Sequence, residues 1–128
     1  MKKLLMSLIA AAALLGGTAS FASETSPKSV IHVVTVAWKK DASPDQIKAA
    51  IDGVHALPAP YPGIKRVWTR AIKVQNPKGA EVAKTHVLVM EFADEAALKA
   101  YTDSPAQKAW YKAYLPARQT STTYDITN

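Results

Sequence analysis

Lys84-Thr85-His86-Val87-Leu88-Val89-Met90-Glu91-Phe92 is rich in apolar and β-branched residues, contains no glycine or proline, and stops abruptly at Ala93-Asp94, where helix signals begin. A run that is apolar on both parities predicts a strand covered on both faces rather than one half in water. Helices of the same chain can cover one face. A chain this small has little to offer the other, so that face points to a second subunit. Val30-Ile31-His32-Val33-Val34-Thr35-Val36-Ala37-Trp38 has the same character, and it is the first strand of the expected fold.

The segments around these two strands carry clear punctuation. Ser43-Pro44-Asp45-Gln46 places serine at an N-cap, proline at the first helical position and glutamine three residues after the cap, which is a capping box. Ile47, Ala50, Ile51, Val54 and Leu57 follow as one apolar helix face, and the proline-rich run from Pro58 to Gly63 stops it. Ile64 to Val74 mixes charge with Ile64, Val67, Trp68, Ile72 and Val74. That mixture predicts an edge strand, where lysine and arginine discourage pairing with other molecules. Asp94 caps the next helix with Glu95 in its first turn, and Leu98 and Tyr101 fall on its inner face. Ser104-Pro105-Ala106-Gln107 repeats the capping box and opens a further helical segment, striped by Ala106, Ala109, Trp110, Ala113 and Tyr114 and expected to end at Pro116. Thr120 to Ile126 closes the chain as a β-branched strand.

The resulting order, β-α-β-β-α-β, is the ferredoxin-like pattern of the α+β class. Right-handed crossovers give an antiparallel sheet in the order 4-1-3-2 with helices on one face. Ile31, Val33, Thr35, Val87 and Val89 are assigned to the other face. A bare apolar sheet face is unusual on a soluble monomer. Two such sheets packed face to face, a homodimer forming a dimeric α/β barrel, are therefore expected.

Met1-Lys2-Lys3, the apolar run from Leu4 to Leu15 and the small-x-small triplet Ser20-Phe21-Ala22 are the three parts of a secretory signal peptide. The apolar run is too short to span a bilayer comfortably. The chain thus divides into a signal peptide at 1–22, a flexible polar lead at 23–29 and one domain at 30–128. A periplasmic or secreted product, without stable membrane insertion after signal cleavage, is expected. The formal net charge is +6, but basic residues alternate with acidic ones, which argues against a nucleic-acid partner. With no cysteine, a disulfide framework, a thiolate nucleophile and a cysteine-ligated metal are excluded. Glycine-rich phosphate loops, metal-ligand clusters and a Ser-His-Asp order are not found, so neither cofactor nor metal is expected.

The candidate chemistry rests on few residues. His32 and His86 begin the two central strands, which run antiparallel, so they are expected on the order of 15 Å apart and not as a dyad. His32 falls beside the end of the fourth strand, where Asp125 can orient its imidazole. That pair reads either as an acid–base site or as a partly buried histidine in a structural bond. Tyr101 reads either as a proton donor over a pocket or as a core aromatic with its hydroxyl near water. Trp38, Trp68, Trp110, Tyr111 and Tyr114 read as core and dimer contacts before they read as a ligand box, and His55 falls on a solvated helix face. The expected site has His32, Tyr101 and Asp125 as catalytic residues. Its ligand contacts come from His32, His86, Tyr101, Gln107 and Trp110, in a pocket between the helices and strands one and three.

Ile31-His32-Val33-Val34, Pro62-Gly63-Ile64, Thr85 through Phe92, Ala97-Leu98-x-x-Tyr101 and Ser104-Pro105, in this order and spacing, resemble the stress-responsive A/B barrel (Dabb) family. The resemblance runs from about Val30 to the C-terminus. It implies a dimeric α/β barrel of ferredoxin-like subunits and says little about activity. A plant branch, the olivetolic acid cyclase type, closes a polyketide ring by a cofactor-free aldol reaction using a tyrosine and a histidine. The tyrosine matches Tyr101, whereas Gln107 stands where the histidine would be, and glutamine does not exchange a proton near neutral pH. The resemblance therefore favours a module that binds a small apolar or aromatic molecule. The alternatives are a cofactor-free acid–base enzyme, a monooxygenase, or a haem-handling barrel with His86 or His32 as axial ligand.

Overall fold

The computed structural model describes residues 28–75, 78–79 and 82–127. The signal segment and most of the lead lie outside these residues. Among the described residues seven elements follow in the order β1 (Val30–Trp38), α1 (Pro44–Ala56), β2 (Ile64–Ala71), β3 (His86–Phe92), α2 (Glu95–Tyr101), α3 (Pro105–Ala117) and β4 (Arg118–Ile126). The sheet is antiparallel and ordered β2-β3-β1-β4, which is the expected order read from the other edge. Among the described residues no helix is long and apolar enough to cross a membrane.

Local chemistry sets the element ends. Ser43 Oγ accepts from Gln46 N–H at 3.2 Å and Gln46 Oε1 accepts from Ser43 N–H at 2.8 Å, completing the capping box of α1. Only half of the second box forms. Ser104 Oγ accepts from Gln107 N–H at 3.2 Å, but Gln107 Oε1 takes the N–H of Asp103 at 2.8 Å. Asp103 stands at φ 63°, in the left-handed region. The helix α3 also runs through Pro116 to Ala117, one residue past its expected end. In the last turn a proline removes only one backbone donor, and Arg118 N–H still reaches Tyr114 O. The β2–β3 ladder is shorter than the sequence suggests. It ends at Ala71 opposite His86, with one further bond from Ile72 N–H to Thr85 O.

Strand parity separates the two faces as expected. Val30, Val34 and Val36 of β1 lie on the helix side with Leu88, Met90 and Phe92 of β3, packed against Ala50, Val54 and Leu57. Tyr101, Trp110 and Tyr114 complete that core. The other face carries cross-strand rows. Trp68, Val89, Val33 and Tyr124 form one, and Arg66, Glu91, Ile31 and Ile126 the next. Tyr124 and Ile126 remain 58% and 60% exposed, an apolar surface with no helix over it.

Arg66 Nε donates to Glu91 Oε2 at 2.5 Å on this outer face. That bond first, and the Ser29 hydroxyl second, hold the Glu91 carboxyl below its ordinary range. A depressed carboxyl stabilises the fold above its unfolded pKa, and that contribution is lost as pH falls through the folded value. Arg66 is largely exposed, so the effect is small. Thermal unfolding should therefore show the wild type above Glu91→Gln at pH 7. The gap should close on acidification below the normal carboxylate range; a gap independent of pH would contradict this assignment.

Candidate functional site

A cavity of about 120 Å³ lies between the helices and the β1–β4 edge of the sheet. The wall from α3 is one helix face, because Gln107, Trp110, Tyr111 and Tyr114 recur at i, i+3, i+4 and i+7. The floor follows strand parity. Ser121 and Thr123 stand opposite Val36 and Val34, and Asp125 stands opposite His32, all on the helix side. Tyr101 enters from the end of α2. The wall is therefore built from β1 and β4, not from strands one and three as the sequence suggested; β3 lies deeper, under the core.

His32 Nδ1 meets Asp125 Oδ1 at 2.5 Å. The histidine side chain is 17% exposed and the aspartate 43%. Asp125 is not part of the cavity wall, whereas His32 is, so the imidazole stands between carboxylate and cavity. A carboxylate only accepts, so Nδ1 carries the proton and Nε2 holds the lone pair of the neutral ring. Phe92 meets the ring edge-on, centroids 5.9 Å apart, and restricts its rotation.

Among the described residues, three buried polar atoms of residues lining the cavity have no hydrogen bond of good geometry: the hydroxyls of Tyr101 and Tyr114 and Nε of Arg118. Tyr101 is 1% exposed, wedged between Tyr61 and Phe92 with ring centroids 5.4 and 5.2 Å away. Burial, with a smaller push from Tyr111, raises its phenol pKa far above the usual value. It is thus a neutral donor at physiological pH and not a phenolate base. Tyr114 is raised by burial too, with Ser121 and Arg118 working the other way. Arg118 Nη1 donates to Ser121 Oγ at 3.2 Å, and its guanidinium lies over the Tyr114 ring at 5.5 Å.

Trp110 is fixed by its indole N–H, which donates to Ala50 O on α1 at 2.9 Å. The approach requires Gly53, since a Cβ there would come within 2.9 Å of Trp110 Cδ1. Gln107 lines the cavity while its Oε1 is engaged at Asp103, which leaves its NH₂ group as the end able to meet a ligand. Of the expected ligand contacts, His32, Tyr101, Gln107 and Trp110 come together. His86 does not. It pairs with Val36, four residues along β1 from His32, about 13 Å away at strand rise. Its Nδ1 accepts from Trp38 Nε1–H at 3.0 Å, a bond internal to the fold. The cavity is also far too small for a porphyrin. Among the described residues no three His, Cys, Asp or Glu side chains are grouped to hold a metal.

Arg118, Tyr114 and Ser121 were missed as site residues. The available signal was the α3 face itself: continued by one more turn from Gln107, Trp110, Tyr111 and Tyr114, it arrives at Arg118.

The architecture is that of a ferredoxin-like α+β subunit with a cavity between sheet and helices. The family model described as Stress responsive A/B Barrel Domain matches residues 30–128, and the chain belongs to that family. No curated protein matches it in sequence. Among solved structures it is similar to the Arabidopsis thaliana protein At3g17210, with TM-score 0.67 and 22% identity over 77% of this chain and 94% of that one. The hydroxynitrile lyase of Passiflora edulis gives TM-score 0.67 and 21% identity over 79% and 94%. A dimeric ferredoxin-like protein of unknown function from Thermobifida fusca gives 0.62 and 20% over 83% and 96%. At these identities the likeness is one of fold.

An unpaired buried hydroxyl costs stability. Tyr101→Phe should therefore raise the unfolding free energy by about 1 kcal/mol, measured by urea denaturation. A loss of similar size would mean that the hydroxyl is paired in solution.

Proposed function

We propose that this is an exported homodimeric barrel protein whose cavity binds a small, oxygen-bearing molecule of at most one ring. The observation that carries the reading is the His32–Asp125 pair set behind a cavity that His32, Tyr101 and Gln107 line. A cavity of about 150 Å³ admits benzene, so 120 Å³ sets a single ring as the upper bound on the ligand. Among the small apolar or aromatic molecules expected from the sequence, the polar residues of the wall favour one with acceptor oxygens. Phenol and benzaldehyde are suitable probes. Each should perturb the Trp110 indole N–H and His32 ring resonances, and His32→Ala should weaken binding about fivefold, the worth of one neutral hydrogen bond. If neither probe moves these signals, the reading fails.

A second reading, a cofactor-free acid–base enzyme, is favoured by the orientation of His32. Asp125 holds Nδ1 and leaves Nε2 to take a proton, with Tyr101 donating to a substrate oxygen. The resemblance in fold to a hydroxynitrile lyase is compatible with such chemistry. In that case His32→Ala removes turnover while KM changes little.

The homodimer is supported by the outer-face row of Trp68, Val89, Val33 and Tyr124, which no helix covers and which ends in the exposed Tyr124, and by the dimeric state of the Thermobifida fusca protein. Sedimentation should give a dimer at micromolar concentration. Val33→Glu combined with Val89→Glu should give monomers, because the charges would be buried without partners; a dimer that survives both changes would place the interface elsewhere.

A further inference from the structure

We propose that the ligand of this cavity is a small carboxylic acid, held as its anion by Arg118 at one end while its oxygen function meets His32 and Tyr101 at the other. The inference rests on the cavity being a ligand site and goes further by assigning the ligand's charge and orientation. Arg118 is the one residue of permanent charge on the wall; no aspartate or glutamate shares it. Among the described residues Arg118 makes no ion pair. Among the described residues its Nε is buried without a well-placed acceptor, and its neighbours are the neutral hydroxyls of Ser121 and Tyr114. A partly buried guanidinium with no counter-charge is unfavourable, and a carboxylate is the group whose two oxygens match its planar donors.

The surroundings of Arg118 agree with this assignment: Tyr114 stands beside it, 2% exposed, with its hydroxyl near the Arg118 and Ser121 side chains. Gln107 and Tyr114 are seven residues apart on α3, roughly 10 Å along its axis. The His32–Tyr101 end and the Arg118–Tyr114 end are thus two ends of one trough. A ligand spanning it places its anion on the cation and its carbonyl or hydroxyl near Nε2 of His32. The Ser121 bond holds the guanidinium over the Tyr114 ring, which makes Ser121 a positioning residue.

Benzoate and its neutral isostere benzamide separate charge from shape. Titrated into the purified full-domain protein at pH 7.5, benzoate should bind about tenfold more tightly than benzamide, as expected for one charge-assisted hydrogen bond. Both should be read by the Trp110 indole N–H signal. Arg118→Gln should abolish the preference, bringing benzoate and benzamide to similar affinities. Should that variant not fold, Ser121→Ala should shrink the preference to about threefold, since the guanidinium loses its tether but not its charge. Equal affinities in the wild type, or a preference untouched by either change, would overturn the anion assignment while leaving the cavity a ligand site. Failure of benzoate, benzamide, phenol and benzaldehyde alike to move the Trp110 signal would overturn the site and this assignment with it.

Discussion

β1 is hydrogen-bonded on both sides, to β3 from Val30 to Val36 and to β4 from Ile31 to Trp38. Its register decides which residues face the helices. Because strand side chains alternate, a slip of one residue would turn Val34 and Val36 outward and carry His32 with them. The burial of Val30, Val34 and Val36, at 1%, 5% and 0% exposure, opposes any such slip. Core and site are therefore fixed by one registration. The same valines that hold the sheet to α1 keep the imidazole of His32 turned toward the cavity and opposite Asp125.

How much of this was legible in the sequence differs by level. Strand parity, sheet order and both serine-capped helix starts follow from patterns two to four residues long, and these survive in the structure. The nearness of His32 and Asp125 was also legible, because antiparallel pairing of the first and last strands brings a strand start to a strand end. The cavity was not. Its wall uses β4 where strand three was expected, since sheet order says which strands are neighbours but not where the helices leave a gap. His86 was misjudged for a related reason: periodicity places it on the helix side, but only the fold shows Trp38 occupying its ring nitrogen. Arg118 escaped notice because a lone arginine at a helix end reads as solvated, and only three-dimensional packing sets it over Tyr114.

The site pays for its chemistry in the currency of unmade bonds. Two tyrosine hydroxyls and a guanidinium nitrogen are withdrawn from solvent with no well-placed partner among the described residues. The aromatic packing around them compensates. Trp110 and Tyr114 stack at 4.5 Å, and Tyr101 lies among Tyr61 and Phe92. Such packing fixes the side chains through ring geometry; if the cavity takes a ligand, little ordering would remain to oppose binding.

The end of β4 carries a consequence of its own. Tyr124, Asp125 and Ile126 alternate across the strand, so the two flanking side chains lie on the outer face while the carboxylate between them holds His32. β4 is an edge strand, tied to the sheet only through β1. A second subunit seated on Tyr124 and Ile126 would clamp the backbone on either side of Asp125 and steady the imidazole from behind. Assembly and occupancy would then be thermodynamically linked: whatever tightens one must tighten the other by the same factor. The affinity of such a protein for its ligand would rise with its own concentration.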